Sequence, residues 1–205
     1  SEQLSNVYKS LGEMKELSSG ITSLNRVFSN VKIRGNWAEC QLEGILDRII
    51  PGMYVKNYRS DASREVVEFA VMIPDSDSDK ITYLPIDSKF PMEDYLRLCD
   101  AADIGDADGV KLAKKALEAK GSSEAKEISK YINTPFTTPF AILYLATDSL
   151  YAEVISSKEN IADRLHNDFN VMVAGPSTIT ALLSSLALGF RTVALNRKAG
   201  EVMDL

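Results

Sequence analysis

An acid and a lysine stand two residues apart at the end of a predicted strand. Residues 81–90 read ITYLPIDSKF, and the Thr, Tyr, Leu and Ile side chains in this stretch favour an extended conformation. Because side chains alternate along a strand, Asp87 and Lys89 share one face. A carboxylate that binds Mg²⁺ beside an ammonium that orients or helps deprotonate a water suits phosphodiester hydrolysis. The same spacing also suits an ordinary ion pair at a strand end.

Further acids lie on the elements that precede this strand. Glu68 is the one acid inside an otherwise apolar alternating strand, where a carboxylate needs a cation or a hydrogen-bond partner. Glu39 and Glu43 are four residues apart on a predicted helix and share a face, although two solvated glutamates would show the same spacing. The Pro74-Asp75 dipeptide lies in a polar turn and is not assigned to the site.

The predicted elements follow the order helix, three strands, helices, strand, helices, strand, which indicates an α/β fold. Gly35 is predicted to break the first helix, with Asn36 as the N-cap of a new helix over Trp37–Ile50. The predicted strands are Met53–Tyr58, Glu65–Ile73, Ile81–Lys89, Thr138–Thr147 and Val171–Ala174. The later helices are predicted to include Asp106–Tyr131, Ile179–Leu188 and a separate helix from Arg191.

The composition is that of a globular protein with a locally acidic segment. A chain of 205 residues can form one domain with a substantial core and appendages. Its net charge of −6 argues mildly against a strong nucleic-acid binder. However, residues 75–108 carry ten acids and three bases, so the rest of the chain has a net charge of +1. A metal site would itself add to such local acidity.

Targeting signals and cysteine motifs are absent from the sequence. The N-terminus does not resemble a signal peptide, and no uninterrupted apolar run reaches the roughly 18 residues of a spanning helix. Cys40 and Cys99 have neither metal-type nor redox spacing. We therefore expect a chain without a membrane segment, in the reducing cytoplasm.

The first 32 residues are predicted to form one long helix with an apolar seam. The seam has spacings of three and four residues with one slip, and consists of Leu4, Val7, Leu11, Met14, Leu17, Ile21, Leu24, Phe28 and Val31. It is typical of a coiled coil with a stammer, and equally of an amphipathic helix that packs on its own domain.

The order of elements and acids resembles the αβββαβ core of the PD-(D/E)XK, or restriction-endonuclease-like, nucleases. In that superfamily an acid on the second strand and the D/E-x-K of the third bind the metal, and many members add a first-helix glutamate. The resemblance implies that Glu39, Glu68 and Asp87 bind Mg²⁺ or Mn²⁺, and that these three and Lys89 are catalytic. Glu39 is preferred to Glu43 because RGNWAECQLEGIL resembles the first-helix motif of archaeal Holliday-junction resolvases. The second-strand acid is Glu here, whereas the nominal pattern has Asp.

Longer segments resemble the RmuC family of bacterial DNA recombination proteins. These are RGNWAECQLEGIL, VEFAVMIP, LPIDSKFPMEDY, TDSLYAEV and VAGPSTITALLSSLALGFRT. The resemblance implies a nuclease-like domain that acts on DNA, is flanked by coiled coil and limits inversions and rearrangements in a bacterial cytoplasm. We assign the coiled-coil-like helix to residues 1–32, the nuclease-like domain to 33–195 and a terminal helix or tail to 196–205.

Three functions compete at this point. The first is a metal-dependent DNA nuclease, which the set of three acids and a lysine favours. The second is a DNA-binding scaffold with the same fold that assembles through its coiled coil without cutting. The third is a structural coiled-coil protein with a globular cap. A superfamily likeness alone does not separate them.

We predict that residues 1–32 drive self-association, because their apolar seam would otherwise face water. Light scattering on the chain with and without these residues should show a larger mass when they are present. Identical monomeric masses at high protein concentration would contradict self-association.

Overall fold

The computed structural model describes residues 31–60, 64–75, 78, 80–89, 92–157 and 160–203. The helices are α1 (Val31–Ile49), α2 (Met92–Asp103), α3 (Ala107–Ser129), α4 (Asp148–Ile155), α5 (Ile161–Phe169) and α6 (Pro176–Met203). The strands are β1 (Tyr54–Tyr58), β2 (Val67–Pro74), β3 (Ile81–Lys89), β4 (Ala141–Leu145) and β5 (Val171–Ala174). The chain divides into two compact units between Trp37 and Ala38, and the sheet lies wholly in the second unit.

The five strands form one mixed sheet in their sequence order, β1-β2-β3-β4-β5. The pairs β1–β2 and β2–β3 are antiparallel, whereas β3–β4 and β4–β5 are parallel. The parallel pairing of β4 with β3 requires the long connection through α2 and α3, because a parallel partner cannot be reached by a tight turn. Strand β3 is therefore central, with an antiparallel neighbour on one side and a parallel neighbour on the other.

Helices cover both faces of the sheet, and each face has its own apolar core. The first core joins alternate residues of β2, β3 and β4, including Phe69, Ile86 and Tyr144, to α1 and α6. The second core joins Leu143 and Leu145 of β4 to α3, α4 and α5. Strand alternation thus assigns Ile86 to the α1 face and its neighbour Asp87 to the α3 face.

The prediction of an α/β fold with a mixed sheet flanked by helices is confirmed, and each strand lies within three residues of its predicted bounds. Two helix predictions were wrong. Helix α1 runs through Gly35 without a break, and α6 runs through Gly189 as one helix. A glycine inside a helix costs about 1 kcal/mol. Burial of side chains such as Leu42 and Leu183 offsets this cost, which local propensity does not reveal.

Other predictions about the organisation of the chain stay predictions. The predicted coiled coil falls almost entirely in residues 1–30, outside the described residues. The domain limits at residues 32 and 195 stay predictions.

One stretch of α6, Pro176–Ala194, is long and apolar enough to span a bilayer by length and composition, with a mean hydropathy of 1.3. The sequence has no uninterrupted apolar run of this length, because serines and threonines are interspersed. Two residues of the stretch, Ile179 and Leu183, are fully buried in the first core.

Gly175 permits a close approach between the start of α6 and helix α4. A methyl group added at this position would lie 2.9 Å from Cβ of Tyr151 and 2.9 Å from a carboxylate oxygen of Asp148. The two oxygens of this Asp148 carboxylate accept hydrogen bonds from the Ser177 backbone N–H (3.0 Å) and hydroxyl (2.7 Å). The glycine therefore leaves room for the carboxylate that binds the first turn of α6.

Gly175→Ala should destabilise the fold by about 1–3 kcal/mol, because the added methyl group overlaps atoms that cannot move independently. The control is Gly189→Ala inside α6, where no described heavy atom outside the local helix lies within 4 Å of the added methyl. The control should gain about 0.5–1 kcal/mol from lower unfolded-state entropy. Urea unfolding measures both, and equal effects of the two substitutions would contradict the steric account.

Candidate metal-binding site where strands β2 and β3 separate

Glu68 lies where the β2–β3 ladder ends. The register of the two strands ends at the pair Phe69–Ile86, while β3 continues beside β4 to Lys89. Beyond that pair, Oε2 of Glu68 accepts hydrogen bonds from the backbone N–H (2.9 Å) and the hydroxyl (2.6 Å) of Ser88. The Glu68 side chain thus satisfies a backbone donor that the ladder leaves free.

Asp87 is the buried acid of the site. Its side chain is 3% exposed, and its Oδ2 lies 2.8 Å from Nζ of the half-buried Lys89. Within the described residues, no other group donates a hydrogen bond to this buried oxygen. A buried carboxylate is costly to ionise, and at Oδ2 the Lys89 ammonium is the cation that offsets this cost. We call Glu68, Asp87 and Lys89 the carboxylate site.

The pKa of Asp87 is raised from 3.8 to about 6. Burial is the largest cause of this shift, and the charge of Glu68 adds to it, whereas Lys89 lowers the pKa. For Lys89, burial lowers the pKa, but Asp87, Glu68 and Glu124 together raise the pKa above its ordinary value of 10.5. In the metal-free chain Lys89 is therefore an ammonium at neutral pH.

Glu124 of α3 joins this group from the facing helix. Its charge acts on both Asp87 and Lys89, and its carboxylate is 17% exposed. Glu124 and Lys89 line one cavity whose other walls are apolar, formed by Leu117, Gly121, Leu143, Leu145, Val154, Ile161 and Leu165. This shared cavity places the lysine and the helix acid together on the α3 face of the sheet.

Glu39 lies elsewhere, among the acids of α1 that face β1. Its charge acts on Lys56 of β1, and Lys56 forms an ion pair of 2.8 Å with Glu43. Helix α1 packs on the first-core face, whereas Asp87 belongs to the opposite face. The acids with the largest effect on the pKa of Asp87 are Glu68 and Glu124. The structure thus brings Glu68, Asp87 and Lys89 together, and groups Glu39 with Lys56.

The residues of the carboxylate site suit a hard divalent cation. Carboxylate oxygens are the ligands that Mg²⁺ and Mn²⁺ prefer, and Oδ2 of Asp87 is a buried oxygen that already attracts a cation, the Lys89 ammonium. Within the described ranges, no group of three or more His, Cys, Asp or Glu residues is arranged to hold a metal. A divalent cation here would therefore have Asp87 and the adjacent Glu68 as its protein ligands, and water or phosphate oxygens would supply the remaining ligands.

Sequence reasoning missed two parts of this arrangement. Glu124 lies in the predicted helix Asp106–Tyr131 but was not assigned to the site. Its position seven residues after Leu117 and four before Ile128 places it beside the buried stripe of α3, which was the available signal. Ser88 was assigned no role, and no pattern in the sequence pointed to its bonds with Glu68.

Comparison with known proteins places the chain in a family. The profile of the RmuC family matches residues 1–205, the whole chain. The chain belongs to the RmuC family. It is 44% identical over 210 residues to the DNA recombination protein RmuC homolog of Xylella fastidiosa, covering 100% of this chain and 46% of that protein. Its identity to the homolog of Chlamydia muridarum is 27% over 212 residues, with 100% and 45% covered.

A more distant RmuC homolog, from Neisseria meningitidis, is 22% identical over 204 residues, covering 94% of this chain and 32% of that protein. The chain thus spans less than half the length of these curated relatives. No solved structure matches the chain significantly. The RmuC resemblance seen in the sequence is confirmed.

Comparison of the wild type with Asp87→Asn should isolate the contribution of the Asp87 carboxyl to the pH dependence of the unfolding free energy. Between pH 4 and 6 the Asp87 carboxyl binds a larger fraction of a proton in the folded chain than in the unfolded chain, so its contribution to the unfolding free energy falls as pH rises. The shift from 3.8 to about 6 corresponds to about 3 kcal/mol. In EDTA, the unfolding free energy of Asp87→Asn minus that of the wild type should therefore rise by about this amount from pH 4 to pH 7.

The internal control for this comparison is the range from pH 7 to 8.5. Asp87 is ionised in both the folded and the unfolded chain there, so the difference should be constant. Urea titrations across both ranges provide the measurement. A difference that stays flat from pH 4 to pH 7 would show that Asp87 is not destabilised by burial.

Proposed function

We propose that this chain contributes the catalytic domain of a metal-dependent deoxyribonuclease that acts in DNA recombination. The observation that carries the proposal is the buried carboxylate of Asp87, whose Oδ2 has the Lys89 ammonium at 2.8 Å and no other donor within the described residues. Glu68 lies beside it at the point where β2 and β3 separate. A buried acid with a second, partly buried acid and an ammonium beside it is an arrangement suited to phosphodiester hydrolysis.

The sheet supports a restriction-endonuclease-like core. After helix α1, three antiparallel strands are followed by a helical connection and by β4, which lies parallel to β3. This is the αβββαβ order of that superfamily, and the carboxylate site lies on its second and third strands. The likeness concerns the fold, so the activity must be argued from the site itself.

Family membership supports the biological setting. The relatives that match the chain are named DNA recombination proteins. We extend that role to this chain as a proposal, with DNA in the bacterial cytoplasm as the partner, limits on inversions and rearrangements as the outcome, and self-association through residues 1–32. Because the chain spans less than half of these relatives, the activity of the whole protein is part of the proposal.

Each residue of the carboxylate site has a distinct role in this proposal. Asp87 and Glu68 would hold Mg²⁺ or Mn²⁺, and Ser88 fixes the Glu68 carboxylate through two hydrogen bonds. The bound ion would polarise the phosphate and lower the pKa of a water. Lys89, an ammonium in the metal-free chain, is suited to orient that water and to stabilise charge on the phosphate oxygens. It is poorly suited to accept a proton.

One observation favours a second function, a DNA-binding scaffold that does not cut. In the metal-free chain Lys89 already compensates Asp87, and Glu39 is grouped with Lys56 on the α1 face. A carboxylate site satisfied in this way requires no metal to be stable. This arrangement would leave the domain as a platform for DNA and for other copies of the chain.

Incubation with single-stranded, duplex and junction DNA separates the two functions. The nuclease predicts cleavage of at least one DNA form with Mg²⁺ or Mn²⁺, and no cleavage with EDTA. Asp87→Asn should abolish cleavage at the same metal concentration. Binding of DNA without metal-dependent cleavage of any form would favour the scaffold.

Lys89→Ala should lower the rate of DNA cleavage while leaving DNA affinity nearly unchanged. The substitution leaves both carboxylates in place, so DNA affinity should stay within a few-fold. The cleavage rate should fall by roughly 10²–10³, as expected for a lost group that stabilises developing charge. The matched control is Lys56→Ala, which removes an ammonium with the same 2.8 Å ion pair from strand β1. Equal cleavage by the wild type and Lys89→Ala would make Lys89 only an ion-pair partner.

A further inference from the structure

The ammonium of Lys89 occupies the position that a cation on Asp87 would need. Its Nζ is 2.8 Å from Oδ2, and no other group within the described residues donates to this oxygen. A divalent ion and an ammonium repel each other strongly when both lie against one oxygen. A metal that binds Oδ2 of Asp87 therefore has to move the Lys89 ammonium.

The surroundings of Lys89 limit where its ammonium can go. The cavity beside it is lined by apolar side chains, including Leu117, Leu143 and Leu145. An ammonium without a counterion in such surroundings would be costly. Glu124 is the one acid that lines this cavity, and its charge already acts on Lys89.

Glu124 is also able to accept a second lysine. Its present partner is Lys120 one turn earlier on α3, at 2.7 Å. Such helix pairs are worth only about 0.2–0.5 kcal/mol, so Glu124 can exchange or share this partner at little cost. A carboxylate has two oxygens, and one can stay with Lys120 while the other accepts Lys89.

We propose that Glu124 is a positioning residue that takes over the ammonium of Lys89 when a divalent cation binds Asp87. This inference rests on the proposed function, because it requires a cation at the carboxylate site. The exchange leaves Oδ2 of Asp87 to the metal and keeps Lys89 beside the reacting phosphate. Glu124 acts through Lys89 and contacts neither metal nor DNA in this scheme.

A double-mutant cycle on metal affinity tests the proposal without relying on catalysis. Isothermal titration with Mg²⁺, and with Mn²⁺, is carried out on the wild type, Glu124→Gln, Lys89→Met and the double variant. Methionine keeps an unbranched apolar stem over the cavity. Glu124→Gln should weaken metal binding by about fivefold, the scale of one partly exposed ion pair. In the Lys89→Met background the same substitution should change affinity by less than about twofold.

Two further variants test whether the effect on metal affinity is specific to Glu124 and its lysine partners. Glu118→Gln is the matched control, because Glu118 lies on the same helix, is 19% exposed and pairs with Arg164 away from the site. It should leave metal affinity unchanged. Lys120→Met frees Glu124 from its present partner and should strengthen metal binding, and this gain should also disappear in the Lys89→Met background.

The outcomes separate this inference from the proposed function. An equal loss of affinity in both backgrounds would show that Glu124 acts on the metal itself, and would overturn the positioning role. No loss in either background would overturn it as well. Absence of metal binding by the folded wild type would overturn both this inference and the nuclease, whereas intact binding with an unchanged Glu124→Gln overturns the inference alone.

Discussion

The burial of Asp87 is the constraint on which the rest of the candidate site depends. Its carboxylate lies on a central strand under α3, where ionisation is unfavourable and the pKa is raised to about 6. A buried carboxylate persists only with a cation, and the chain supplies one in Lys89, two residues along the same face. The proximity of Glu68 increases the cost, since two like charges share this end of the sheet. A further cation beside Glu68 and Asp87 would reduce this electrostatic repulsion.

The sheet topology produces this arrangement. Strand β3 changes partners along its length, pairing with β2 in its first part and with β4 at its end. Where β2 leaves, a backbone N–H loses its ladder partner and a side chain must replace it. Glu68 takes that role through Ser88, which fixes a carboxylate beside Asp87. The separation of β2 from β3 therefore has two consequences. It leaves the Ser88 backbone N–H without a ladder partner, and it places Glu68 and Asp87 side by side at the end of the ladder.

The strands and most residues of the carboxylate site could be predicted from local sequence pattern, and what the pattern did not reveal has physical causes. The bounds of β3 were predicted to the residue, because β-branched and aromatic residues alternate up to Asp87 and Lys89. The neighbourhood of Glu68 and Asp87 follows once their strands are adjacent. Glu39 was assigned by family resemblance, and its role at the metal stays a prediction, because local physics could not show which face of the sheet α1 would cover. Glu124 was not found because a partly buried acid in a mixed-charge helix has the composition of a solvated face.

The balance of charge at the site bears on the choice between nuclease and scaffold. A scaffold needs only that Asp87 be neutralised, and one ammonium achieves this. Here the charges of Glu68 and Glu124 both act on Asp87, and the ammoniums of Lys89 and Lys120 pair with Asp87 and Glu124. Three carboxylates therefore lie near two ammoniums, which is one acid more than neutralisation of Asp87 alone requires. The proposed divalent cation would balance this excess of acids, whereas a scaffold gives no reason for it.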